Sequence, residues 1–266
     1  MNSVSAAPSR EPTDLLTRAV AGILVLILAD AAQLLAFYPD RTDTLWAWTI
    51  DPPLTAMLLG TAYVAGGYFF ARVLFGAPWE RVAAGFPPVI LFVWMAAIAT
   101  ALHLDRFHED SLPFAAWAAL YVITPIGVPL LFLHNRRPIS GPPLPRGLRI
   151  ALAVAGGAIV AGCLVLFAFP DVGIDNWPYT LTPLTARITA AVLSLYGSVW
   201  LTVAAFNSWT AARIPLQSHA IGLVVLIVAI LRGGDAVDWG NAIAPALVAV
   251  AAIMASVSAL LSWKAT

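Results

Sequence analysis

The sequence predicts an all-α, polytopic membrane protein of eight transmembrane helices, built as two parallel four-helix repeats with both termini cytoplasmic. Three observations predict it: an apolar composition, an internal repeat near 130 residues, and a lopsided distribution of arginine. Apolar residues make up 61% of the 266 and charged residues 11%, with Lys+Arg and Asp+Glu equal at 14 each. That balance excludes a soluble core of ordinary composition and the basic footprint of a nucleic-acid-binding protein. The lipid bilayer is therefore the predicted surrounding.

Spans of about 20 apolar residues cross the roughly 30 Å of hydrocarbon. They run from Leu15 to Phe37, Pro53 to Phe75, Val82 to Leu104, Leu112 to Leu133, Leu148 to Phe169, Leu181 to Phe206, Ser218 to Leu231 and Ile243 to Trp263. The seventh is the shortest, ending at Arg232-Gly233-Gly234. The first follows Arg10 and ends in small residues around Asp30, as a secretory leader does, but its counterpart in the repeat lies mid-chain, so it is read as a span.

The repeat pairs Tyr38-Pro39-Asp40, Trp46 and Pro53-Leu54-Thr55-Ala56 with Phe169-Pro170-Asp171, Trp177 and Pro183-Leu184-Thr185-Ala186. The offset is 131 up to the tryptophan and 130 after it, Asp51 being the extra residue. Arg18 pairs with Arg149, Gly67 with Gly197, Trp79 with Trp209 and Asp105 with Asp235. The chain divides into a tail (1–14), a first repeat (15–134), a Pro- and Arg-rich linker (135–147) and a second repeat (148–266).

With cytoplasmic termini, ten of the 14 basic residues fall on the inner side, from Arg10 and Arg18 through Arg136, Arg137, Arg146 and Arg149 to Lys264. Four spans per half give both halves one orientation, related by an axis along the membrane normal. Ten of the 14 carboxylates, Asp51 among them, fall in the outer loops. They are read either as loops kept wet or as a vestibule that concentrates cations. The tryptophans form interfacial belts, with Trp46 and Trp177 set apart because they recur just before helix starts.

Pro53 and Pro183 open spans two and six, where proline loses no needed hydrogen bond. The unpaired N–H groups of two such first turns suit a carboxylate or phosphate. The second copy adds Arg187 where the first has Met57. Asp30 and Arg187 are the charges inside the hydrocarbon, about 10 and 9 Å from the outer ends of their spans at 1.5 Å per residue. Buried charges of this kind pair or face a cavity. The predicted substrate site is thus Asp30, Arg187, Trp46, Trp177 and Asp51, while a static Asp30–Arg187 ion pair is the structural alternative.

A second constellation is Leu102-His103-Leu104-Asp105-Arg106-Phe107-His108-Glu109-Asp110. If the helix frays there, His103, Asp105 and His108 could converge on a divalent metal such as Zn²⁺. On an intact helix the two imidazoles point about 140° apart. Solvated loop polarity is the other account. Retinal chemistry is set aside because the single lysine is the terminal Lys264, and disulfide chemistry because Cys163 stands alone. Haem held by two histidines fits poorly, His103 being outer and His134 and His219 inner, although a single axial His103 stays open. No nucleotide-binding or nucleophile-elbow motif occurs.

The runs from Trp46 to Ala56 and from Leu102 to His108 resemble those of a group of uncharacterised multi-pass bacterial membrane proteins. The resemblance covers the first half best and implies a bacterial plasma membrane, with no activity attached. Three functions follow from the residues. The first is a transporter or channel-like protein with an outward-facing small-solute or ion site between the halves. The second is a metal- or haem-dependent membrane enzyme or redox subunit at His103 and His108. The third is an accessory subunit packed against a membrane-protein partner or a second copy.

Overall fold

A computed structural model describes residues 12–265; Arg10, the tail up to residue 11 and Thr266 lie outside the described residues. Among those described, eight helices are long and apolar enough to cross a membrane. They are α1 (Leu15–Phe37), α2 (Pro53–Leu74), α3 (Trp79–Leu102), α4 (Leu112–His134), α5 (Arg146–Ala168), α6 (Pro183–Phe206), α7 (Trp209–Arg232) and α8 (Ile243–Lys264). By length and composition the chain is a multi-pass membrane protein.

Helix starts follow local chemistry. Asp14 caps α1, its carboxylate accepting from the Thr17 amide at 2.9 Å and the Thr17 hydroxyl at 2.8 Å. Ser111 caps α4 through the Phe114 amide. Thr182 and Thr185 form a reciprocal capping box at the head of α6, and proline stands in the first turn of both α2 and α6. α3 begins three residues before the expected Val82, as a helical turn over Trp79–Val82, then tightens to a 3₁₀ turn at Ala83–Gly85. It resumes at Phe86, followed by Pro87 and Pro88, whose missing N–H groups suit a fresh first turn. α7 corrects the sequence reading most: it starts at Trp209, nine residues before Ser218, and carries Pro215 inside it.

The helices sort into two shells. In their most apolar stretches α2, α3, α6 and α7 bury 72, 61, 78 and 50% of residues, against 33, 33, 22 and 28% for α1, α4, α5 and α8. The first four are therefore the core and the second four the lipid-facing wall, where Ile23, Leu26, Val122, Ile126, Val154 and Ile253 stand exposed. α1 packs on α2, α5 on α6, α4 on α3 and α8 on α7. The core closes by α2 against α7 and by α3 against α6. At α5–α6 the backbones touch: a Cβ on Gly156 would meet the Gly197 carbonyl oxygen at 2.6 Å.

Hydrogen bonds between connections at one end, and between helix ends at the other, mark the two ends of the bundle. At one, the His108 amide donates to the Ala47 carbonyl (2.9 Å) and the Asp238 amide to the Pro178 carbonyl (2.7 Å). At the other, Arg18 Nε donates to the Leu74 carbonyl (3.0 Å) and Arg149 Nε to the Ala204 carbonyl (3.1 Å). We call these the His103 end and the Arg149 end.

Candidate functional site

The predicted site residues fall into two separate places. Arg187 is the fifth residue of α6, about 6 Å from the helix start at 1.5 Å per residue, because α6 opens at Pro183 rather than Leu181. Its Nη1 lies 2.7 Å from His103 Nε2, at the end of α3. A guanidinium has only donors, so His103 Nε2 must accept, which makes the imidazole neutral with its proton on Nδ1. Burial first, and then the Arg187 charge, hold the His103 pKa below its ordinary value, against an opposing pull from Asp105. The carbonyls ending α3 place partial negative charge near the guanidinium. Arg187 Nε, however, is buried without a hydrogen-bond partner.

Asp30 does not reach Arg187. Among the described residues the ion pairs found join Asp105 to Arg106 and Asp14 to His134, and neither involves Asp30 or Arg187. Asp30 instead lines a cavity of about 330 Å³ between α1 and α4, which also borders Trp46, Tyr63 and Trp117. The expected matching depth is also lost, Asp30 remaining seven residues, about 10 Å, inside the end of α1. The static ion pair is thus absent among the described residues, and so is one cavity shared by both charges.

Trp46 and Trp177 likewise stand apart. Trp46 belongs to an aromatic cluster, with ring centroids 6.1 Å from Trp48, 6.1 Å from Tyr63 and 5.7 Å from Trp117. Trp48 is 2% exposed, so this tryptophan packs in the protein instead of belting the bilayer. Trp177 meets Tyr179 edge to face at 6.0 Å beside a small cavity of about 20 Å³. Asp51 is exposed, before the cis peptide to Pro52 that leads into α2.

Four polar atoms meet near Tyr179. Burial raises the pKa of its hydroxyl, and the side chains of Trp177, Thr189 and Thr55 pull the other way. Tyr179 Oη, Trp177 Nε1, Thr55 Oγ1 and Thr189 Oγ1 are all buried, and they face one another as loose partners that fall short of full hydrogen-bond geometry. Since buried polar atoms are as a rule paired, they describe a polar seat between α2 and α6. Thr189 follows Arg187 by two residues, about 200° around the helix, so the seat and the guanidinium occupy different faces of α6.

The proposed metal ligands are not brought together. His103 holds Arg187, the exposed Asp105 pairs with Arg106 at 3.1 Å, and His108 Nε2 lies 3.3 Å from the Thr49 hydroxyl. Among the described residues no three His, Cys, Asp or Glu side chains are placed to hold a metal ion. The chain turns at His103 into a 3₁₀ turn over Leu104–Arg106, which directs these side chains apart.

A polar network missed from the sequence lies deeper. His219 is the eleventh of the 24 residues of α7, near mid-membrane rather than at the inner side. Its Nε2 is 3.0 Å from the Tyr196 carbonyl and its Nδ1 2.8 Å from Ser258 Oγ, which accepts from Trp200 Nε1 at 2.8 Å. A carbonyl only accepts, so the proton sits on Nε2 and Ser258 donates to Nδ1; every group is satisfied with His219 neutral. The network ties α6, α7 and α8. The signal was available: Trp79 pairs with Trp209 in the repeat, and extending span seven to that tryptophan centres His219.

No protein-family model, no curated protein and no solved structure matches the chain.

Proposed function

We propose that the chain is an integral membrane transporter or channel-like protein whose small-solute site lies at the junction of its two halves, beside Arg187 and His103 and facing outward, and that the solute is an anion. The observation that carries this reading is the state of Arg187. A guanidinium set into the edge of the membrane segment, where charge is costly, has a neutral imidazole as partner, no carboxylate among the described residues, and an Nε that is buried and unpaired. A carboxylate or phosphate oxygen would answer both the charge and the vacant donor.

The duplicated architecture supports the same reading. Arg18 to Leu74 and Arg149 to Ala204 are one bond at two places, as are His108 to Ala47 and Asp238 to Pro178. The core contacts α2–α7 and α3–α6 exchange under the same pairing. Arg187 breaks this correspondence at Met57, giving a near-symmetric scaffold one charged site. The positive-inside distribution favours a His103 end that faces outside with both termini cytoplasmic, and the resemblance to multi-pass bacterial proteins favours a bacterial plasma membrane.

The test uses purified chain in neutral detergent, titrated with sodium acetate and with sodium phosphate at constant ionic strength while thermal unfolding is followed. Wild type should gain a saturable rise in Tm with at least one anion, and Arg187→Met, which copies the first repeat, should lose it. Proteoliposomes should then accumulate that anion, labelled, only with the wild-type chain. Equal shifts in wild type and Arg187→Met would end the proposal.

A further inference from the structure

We infer a second ligand site, for a lipophilic organic cation entering sideways from the bilayer, in the cleft between α1 and α4. The cleft, about 330 Å³ in volume, is within the size range of small-molecule sites, about 300–1,000 Å³. α1 and α4 both pack on core helices, and the cleft separates the two of them at the lipid-facing wall. Its lining is apolar and aromatic apart from one charge, the Asp30 carboxylate.

That carboxylate is the observation that selects the ligand. Asp30 is exposed yet about 10 Å inside the end of its helix, and no cation pairs with it among the described residues. Around the same cavity stand Trp46, Tyr63 and Trp117, with Trp46 centred 6.1 Å from Tyr63 and 5.7 Å from Trp117. Aromatic faces with a carboxylate are the chemistry that recognises a weakly hydrated onium ion, through ring quadrupole and charge together. An anion would be repelled by Asp30, and a neutral molecule would gain at most a hydrogen bond from it.

A second cavity of about 70 Å³ shares Leu28, Tyr63 and Leu120 with the cleft and reaches the Tyr63–Tyr121 hydroxyl pair and His219. The two cavities thus adjoin along Leu28, Tyr63 and Leu120. Asp30 has Ala161 as its counterpart in the repeat, and Trp117 has Leu247, so the site belongs to the first half alone. The inference stands apart from the anion site: the two share no residue.

The test measures equilibrium binding of labelled tetraphenylphosphonium to proteoliposomes held without a membrane potential. Tetraphenylborate, of the same shape and opposite charge, is the control, and dodecyltrimethylammonium the competitor. Wild type should bind about one tetraphenylphosphonium per chain, displaced by the competitor. Asp30→Asn should weaken binding at least about tenfold, Asp30→Glu should retain it, and Trp46→Leu should weaken it with the melting profile of the chain preserved. Binding unchanged in Asp30→Asn, or saturable binding of tetraphenylborate equal to that of the cation, overturns the inference, as does the absence of saturable cation binding. Wild-type anion shifts that survive Asp30→Asn would confirm that the two sites are separate.

Discussion

Arg187 Nη1 and His103 Nε2, 2.7 Å apart, join the two halves of the chain with a hydrogen bond that exists only while the histidine is neutral. Protonation would set two cations against each other, and burial first, then this repulsion, hold the His103 pKa below its ordinary value. Between that lowered value and 6.5 the unfolded chain holds a proton that the folded chain lacks, so stability rises with pH through this window and falls on acidification. An anion bound between the two groups reverses the balance by favouring the imidazolium. Anion binding should therefore take up a proton and tighten as the solution is acidified toward the range in which His103 titrates. Titrations at pH 7.5 and 5.5 check this, and His103→Gln should flatten the difference.

At the other end of the bundle, Asp14 ties the start of α1 to the end of α4. Burial pushes its carboxyl up, but bonds from Thr17, the nearby His134 and Asn135 outweigh this and leave the pKa below 3.8. Its contribution is thus complete above 3.8 and is lost as pH falls through the lowered value. Asp14→Ala should cost about 1 kcal/mol as a lost cap. Melting curves at neutral pH and at pH 3 would show a gap between variant and wild type that narrows in acid.

Helix number and most boundaries were legible because a membrane span is written in one variable, apolar length. α1 and the starts of α2, α4 and α8 fall where the runs begin, and Pro53 marks a helix start by its own chemistry. α7 was misplaced because Arg213, Pro215 and Gln217 dilute the apolar run ahead of Ser218, although Gln217 finds Arg72 and Tyr68 on α2 as partners. Asp30 and Arg187 were found as charges within spans, but not that Arg187 meets His103 while Asp30 stands exposed at a cleft. Depth follows from counting along one helix, whereas azimuth follows from how helices pack, and that set Arg187 toward His103 and Asp30 toward α4. The Tyr179 seat joins residues from α2, α6 and the connection between α5 and α6, which no spacing rule links.

The His219 network should be stability in the main, since each of its polar groups already has a partner. Ser258→Ala would leave Trp200 Nε1 and His219 Nδ1 buried and unpaired, at a cost of about 1–3 kcal/mol for each. Ser262 gives the control, because its hydroxyl bonds only the Ala259 carbonyl of its own helix. Thermal unfolding should separate Ser258→Ala clearly from Ser262→Ala, and equal melting points would remove the network from the account of the fold.

The α5–α6 contact rests on the absence of a side chain. A Cβ at Gly156 meets backbone atoms on α6, the Gly197 oxygen at 2.6 Å and the Leu201 nitrogen at 2.7 Å, so the helices would have to move apart. Gly156→Ala should cost about 1–3 kcal/mol as overpacking. A methyl added at the neighbouring Gly157 would meet nothing within 4 Å, and Gly157→Ala should be neutral or stabilising by up to about 1 kcal/mol through helix propensity. Parallel melts of the two variants distinguish a packing effect from a propensity effect.

Orientation decides which solution each site meets. Ser140 is exposed at the Arg149 end, its hydroxyl donating to Glu80 at 2.8 Å, while Thr49 is exposed at the His103 end beside His108. The native Cys163 is buried within α5, so it can be replaced by alanine to give a silent background. With the linker cytoplasmic, a membrane-impermeant maleimide applied to intact cells should label a cysteine at Thr49→Cys and leave Ser140→Cys untouched until the cells are opened. The reverse pattern would invert the topology. It would also turn the Arg187 site toward the cytoplasm and leave the cleft geometry at Asp30 unchanged, because lateral entry from the bilayer does not depend on which end faces out.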